Sequence, residues 1–202
     1  MQSTGQAAPR RAGARQDEIR EAALTLFSER GYHGTGMEQI AAAVGLSPSS
    51  LYNHWKSKQD LLADIMVATM EDLLAGFAAV VDPARSATEG LRAAMDAHVR
   101  YHATHHREAR VGNRELTSLA DASRERVRGL RQEYATAWQQ LLATGVEQGE
   151  FAEVSPRLTS FALLEAGIGV SQWYRPDGAL TLDDVAHEYA EMALRLVGSR
   201  LT

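Results

Sequence analysis

Between Thr35 and Lys58 the chain reads TGMEQIAAAVGLSPSSLYNHWKSK, and few folds accommodate that run. Met37, Ile40, Ala41 and Val44 recur at helical spacing, so they define one short helix with a single apolar face. Thr35 and Glu38 stand as a T-x-x-E capping box at its start. Gly45 follows where a left-handed residue ends a helix, and Ser47-Pro48 restarts the chain as N-cap and first helical residue. A second helix is expected from about Pro48 to Trp55. At about 100° per residue it buries Leu51 and Trp55 and turns Ser49, Ser50 and Asn53 outward. A short helix with a small polar outer face fits a DNA major groove, about 12 Å wide, closely enough to touch base edges. Tyr52 and His54 flank that face within reach of phosphates, helped by Lys56 and Lys58. The same spacing also occurs in helical hairpins that serve only as core.

The remainder reads as helix throughout, which makes the chain all-α, with about nine helices. A first helix from about Gln16 to Arg30 carries Ile19, Ala22, Ala23, Leu26 and Phe27 on one stripe, and Gly31 ends it. Ser57 caps a long helix through Leu61, Ile65, Met70 and Phe77 that meets no proline before Pro83. Further helices are expected at about Ser86–His105, Glu108–Leu119, Ala122–Glu147, Pro156–Trp173 and Leu182–Val197, with the Ser86…Glu89 box and Ser155-Pro156 as start signals. The reading divides the chain into a flexible basic arm (1–15), a three-helix domain (16–60) and a larger helical domain (61–202). The long helix crosses that last boundary without a linker and so offers a rigid path between the two.

At 202 residues and 45% hydrophobic the chain can bury a substantial core. It contains no cysteine, which excludes disulfides, thiolate metal sites and a cysteine nucleophile. No apolar run has membrane-spanning length and no apolar leader opens the sequence, so a cytoplasmic protein with no membrane partner is expected. The net charge of −5 is unevenly placed. Residues 1–60 hold seven basic and six acidic side chains, so the acidity belongs to the second part. Arg10, Arg11 and Arg15 lie in a Gly/Ala/Gln-rich lead that either follows phosphates or enters a minor groove as a mobile arm, or is a solvated tail.

From Ile19 to Leu62, IREAALTLFSERGYHGTGMEQIAAAVGLSPSSLYNHWKSKQDLL resembles the N-terminal domain of the TetR family of transcriptional repressors. Phe27, Gly31, Tyr32, Thr35, Ile40, Ala41, Gly45, Leu51, Tyr52, His54 and Lys58 are in register, while Trp55 stands where many relatives carry Phe. The resemblance implies a helix-turn-helix domain followed by a ligand-binding and dimerisation domain. It places Thr35, Ser49, Ser50, Tyr52, His54 and Lys58 where family members commonly touch DNA, with the lysine on a phosphate. With Arg15, Pro48 and Asn53 these make up the expected DNA-binding set. The expected partner is a palindromic double-stranded operator, read by a homodimer whose half-sites lie about 34–36 Å apart. The last two helices offer Phe161, Leu164 and Ile168, then Val185, Tyr189, Met192 and Leu196, either as a four-helix dimer seam, which the operator symmetry favours, or as closure of the monomer core. Gly167 and Gly169 allow close approach there.

The run HVRYHATHH places His98, His102 and His105 or His106 near one helix face, as metal ligands, pocket lining or solvated side chains. No carboxylate or cysteine completes a metal site, and no metal or cofactor is expected. No nucleophile with a positioned base stands in a plausible context, so an enzyme is not expected. Met66, Met70, Met95, Tyr101, Leu116, Tyr134, Trp138 and Trp173, with His102, either line a cavity or fill it. The segments REARVGNRELTSL and WYRPDGAL are similar to those in TetR-type regulators of lipid, steroid or aromatic-acid breakdown, several of which respond to acyl-CoA thioesters. By that resemblance Arg107, Arg110 and Arg114 meet CoA phosphates; otherwise they are surface charges. The expected function is thus a dimeric repressor released from its operator by a small hydrophobic ligand, acyl-CoA among the candidates. The alternatives are a drug-efflux regulator binding a free hydrophobic molecule, and an acyl-CoA enzyme or carrier that retains a helix-turn-helix.

Overall fold

The computed structural model describes residues 8–199, with side chains from Gly13 onward. Nine α-helices make up that span: α1 (Ala8–Arg30), α2 (Met37–Ala43), α3 (Pro48–Tyr52), α4 (Lys58–Val80), α5 (Ala87–Thr104), α6 (His106–Glu115), α7 (Asp121–Glu147), α8 (Pro156–Trp173) and α9 (Leu182–Leu196). A short 3-10 turn, Leu116–Ser118, follows α6.

The starts are set by side-chain caps. Ser57 accepts the Asp60 N–H, Ser155 the Leu158 N–H and Thr181 the Asp184 N–H, and Ser86 with Glu89 forms the expected box at α5. Four boundaries differ from the sequence reading, α3 ending at Tyr52 instead of Trp55 among them. Helix α1 begins at Ala8, so residues 8–15 of the expected flexible arm are helical, and residues 1–7 of that arm lie outside the described residues. Helix α2 is capped by Gly36, whose N–H is received by Gln39 Oε1 at 2.9 Å, one residue beyond the expected Thr35…Glu38 box. Helix α6 begins at His106 and tightens into the 3-10 turn after Glu115 instead of running to Leu119.

Two apolar cores form, and α4 belongs to both. Its Leu61, Leu62, Ile65 and Met66 pack with α1, α2 and α3, while Met70 and Leu73 pack into the second core around α5. Val111, Leu119 and Val127, from α6, the loop after it and α7, also enter the first core, with Leu116 packed against it. The packing therefore divides inside α4 after Met66, six residues past the expected boundary at residue 60. Helix α5 is the axis of the second core, touched by α4, α7, α8 and α9. Gly167 lets α8 approach it, since a Cβ there would fall 2.2 Å from the His98 ring. Gly169, which faces open space, has no such role.

Candidate DNA-reading face and ligand cavity

The turn between α2 and α3 is built by Gly45, at φ +65°. Leu46 donates its N–H to Ala41 O at 2.8 Å, which closes α2 and points the chain into α3. Ser47 caps α3, and its hydroxyl also meets those of Ser49 and Ser50 at 2.9 Å each. Helix α3 is shorter than expected, but turns continue through Trp55, whose N–H donates to Leu51 O at 3.1 Å. Leu51 and Trp55 are buried beneath it. Pro48, Ser49, Asn53 and His54 are exposed, Ser50 is half-buried, and Tyr52 is 48% exposed despite its ring. These residues form one free, small-residue face. Trp55 does more than fill the place of a phenylalanine: its indole N–H donates to Asp64 at 3.0 Å, and Asp64 also receives Arg20 at 2.7 Å.

Three residues of the expected DNA-binding set are placed otherwise. Thr35 is 1% exposed, and its hydroxyl reaches Leu26 O at 3.2 Å and Gly31 O at 3.0 Å, so it ties the α1–α2 loop to the end of α1. Lys58 donates to the carbonyls of Tyr32 and Thr35 at 2.8 and 2.7 Å, and its ammonium lies 4.3 Å from the Tyr32 ring centre. These two carbonyls take two of its three N–H donors. Arg15 pairs with Glu18 and donates to Val44 O, the C-cap of α2, at 2.7 Å. All three brace the reading hairpin.

In the second core, a cavity of about 270 Å³ opens between α4, α5, α6, α7 and α8. Met70, His102 and Tyr134 line it as expected, joined by His98, Leu73 and Ala109. Phe161, Leu164 and Ile168 of α8, expected in a dimer seam, line it too. Arg131 was missed by the sequence reading. It stands on the stripe that Val127, Tyr134 and Trp138 occupy in α7, and a lone arginine on an apolar stripe was the legible signal.

Other expected pocket residues lie elsewhere. Met66 and Leu116 belong to the first core or its edge, Met95 and Trp138 are sealed inside the second, and Tyr101 faces the clefts beside it. Trp173 is exposed, its ring 6.5 Å from that of Tyr189 and inclined to it by 28°. Arg110 and Arg114 do not enter the cavity; with His106, Ser171 and Gln172 they line a neighbouring groove of about 250 Å³ that shares Ala109 and Asn113 with it. Arg107 instead spans to α1, 2.6 Å from Glu21 and 2.5 Å from the Thr25 hydroxyl.

Among the histidines, burial holds His98 at about 4 and His102 at about 3, far below the ordinary value, with His98 and His105 adding to the effect at His102. His105 stacks on Tyr101 at 4.1 Å. Among the described residues no three His, Asp or Glu side chains converge as metal ligands. Along α8 and α9, Leu158, Phe161, Trp173, Met192 and Leu196 are exposed, Tyr189 is partly buried, and Val185 is buried within the monomer, which removes it from the expected seam.

A capped reading helix on a braced three-helix base, joined through one continuous helix to a hollow helical half, is the make-up of a DNA-binding regulator. Comparison with known proteins gives the family. A family model described as bacterial regulatory proteins, tetR family, matches residues 19–65, and one described as tetracyclin repressor-like, C-terminal domain, matches residues 84–197. The HTH-type transcriptional repressor KstR2 of Rhodococcus jostii is 30% identical over 190 residues, 89% of each chain. A solved bacterial regulatory protein in the tetR family from Rhodococcus superposes with a TM-score of 0.86 at 30% identity, over 92% of this chain and 98% of that one. The structure of AibR in complex with isovaleryl coenzyme A and operator DNA does so at 0.80 and 27% identity, over 92% and 99%. The chain belongs to the tetR family of transcriptional regulators.

Proposed function

We propose that this chain is a homodimeric repressor that leaves a palindromic operator when an acyl-CoA thioester occupies the cavity between α4 and α8. The observation that carries this reading is the placement of α6. Its inner side, with Ala109 and Gly112, lines the apolar cavity; its outer side carries Arg110 and Arg114 on the adjoining groove; and its Arg107 grips α1. An acyl group inside and CoA phosphates on the basic groove would therefore bear on the same helix that holds the DNA-reading domain. KstR2 is named a repressor, and AibR is captured with isovaleryl coenzyme A and operator DNA together, which supports a DNA-binding repressor that carries an acyl-CoA site. At about 270 Å³ the cavity falls just below the usual range of about 300–1,000 Å³ and favours a short or compact acyl group over a long chain.

On the DNA side, Ser49, Ser50 and Asn53 read base edges while Tyr52 and His54 reach phosphates. A regulator of this kind works in the cytoplasm beside the DNA, and no helix among the described residues is long and apolar enough to cross a membrane. The test is selection of DNA from a random pool, repeated with short acyl-CoAs and with the corresponding free acids. The expected result is a palindrome whose affinity falls about 5–150-fold with acyl-CoA, the range of ordinary allosteric coupling. A response confined to the free acids would favour a regulator of free hydrophobic compounds, and thioester turnover would favour an enzyme or carrier. Binding of acyl-CoA with no change in operator affinity would defeat the proposal.

A further inference from the structure

His98 and His102 sit one helical turn apart with ring centres 4.5 Å from each other, yet their surroundings differ. His98 is satisfied, with Tyr134 Oη at 3.1 Å on Nδ1 and Leu164 O at 3.1 Å on Nε2. His102 is 4% exposed and neither of its ring nitrogens has a hydrogen-bonding partner in the protein. A buried polar group left without a partner costs about 1–3 kcal/mol. His102 forms part of the wall of the cavity of about 270 Å³, with neither ring nitrogen open to solvent, and Arg131 lines it too, its Nη2 donating to Gly112 O at 2.8 Å. Glu108 and Glu165 line the same space.

We infer that the cavity takes a compact apolar group carrying an uncharged oxygen, a carbonyl or a hydroxyl, that pairs with His102. This rests on the reading of the cavity as the ligand site and specifies what that ligand must bear. A plain hydrocarbon would leave the imidazole as it is and add nothing to its hydrogen bonding. A carboxylate would meet Arg131 favourably but would face two glutamates and a histidine that burial keeps neutral, so the lining as a whole opposes a second negative charge. A neutral oxygen avoids that repulsion, and as an acceptor takes the imidazole N–H.

The test compares hexanoyl-CoA with 5-oxohexanoyl-CoA, 5-hydroxyhexanoyl-CoA and adipoyl-CoA by calorimetry on the full chain, alongside methylcyclohexane and cyclohexanone as probes without CoA. The expected result is that the oxo or hydroxy thioester binds about tenfold or more tightly than hexanoyl-CoA. Adipoyl-CoA should gain nothing over hexanoyl-CoA, and His102→Leu should erase the preference. If no thioester binds but cyclohexanone is preferred to methylcyclohexane, the CoA reading fails and this inference stands. Equal or tighter binding of the hydrocarbon member in both series, a preference for adipoyl-CoA, or a preference that survives His102→Leu overturns it.

Discussion

Lys58 illustrates how a residue can occupy a DNA-facing motif and still serve the protein itself. With its ammonium on two carbonyls and over the Tyr32 ring, it joins the start of α4 to the α1–α2 loop. Lys58→Met is therefore expected to lower stability by about 1–2 kcal/mol and weaken binding to every sequence, while the slope of affinity against salt stays unchanged. Titrations between 50 and 200 mM salt, about the range over which phosphate contacts show themselves, check this: a flatter slope would restore the lysine to a phosphate. The buried histidines give a pH dependence. The folded protein keeps His98 and His102 neutral down to about 4 and 3, whereas the unfolded chain protonates near 6.5. The unfolded state then binds more protons, so stability should be unaffected above about pH 6.5, fall as pH drops below it, and level off only beneath the folded values. The groups that share their cavity are Tyr134, Arg131, Glu108 and Glu165. Melting temperatures from pH 7.5 to 4.5 should decline, and less so in His102→Leu. At this scale the sequence was ambiguous for a physical reason. A threonine three residues before a glutamate reads as a helix cap, and only the fold shows Gly36 and Gln39 taking that place while the Thr35 hydroxyl turns inward.

At the scale of helices, legibility follows periodicity and capping. Helices α4, α5 and α8 begin at the serines that the sequence marks, and α9 at Thr181, because each side chain receives an N–H three residues on. Helix α6 was less legible: no side-chain cap marks its start at His106, and Leu116 and Leu119 prolong its apolar pattern through the 3-10 turn into the first core. The seam residues were legible as apolar but not as inner or outer. A helix packed on one side and exposed on the other shows hydrophobic side chains both ways, so Val185 turned in and Met192 and Leu196 out. The outward pair yields a direct expectation. Met192→Glu with Leu196→Glu places charge where the monomer is already open to solvent, so melting should change little in the isolated subunit. Size-exclusion chromatography should show the chain falling to half its assembled mass, with affinity for a palindrome lost in step. An unchanged elution volume would place the dimer contact elsewhere.

Across the whole molecule, the two cores are joined by α4, whose residues belong to both, and by α6, whose side chains reach the cavity on one side and α1 on the other. Gln59 adds a contact from α4 to Ser118 O at 3.3 Å, and the Ser118 hydroxyl lies 3.3 Å from His33. Removing the α6–α1 grip with Arg107→Ala should leave operator binding nearly intact but shrink the ratio of affinities with and without ligand toward one, measured by titrating operator in both conditions. Retention of the full ratio would route the response through α4 alone. Because Val111, Leu119 and Val127 complete the first core, the reading head is not a detachable module. A hybrid regulator spliced at the end of α3 would strand apolar surface on both fragments. One that transplants α1 to α4 together with the α6–α7 corner would keep its foundations, and that is the segment an engineer would have to exchange as a piece.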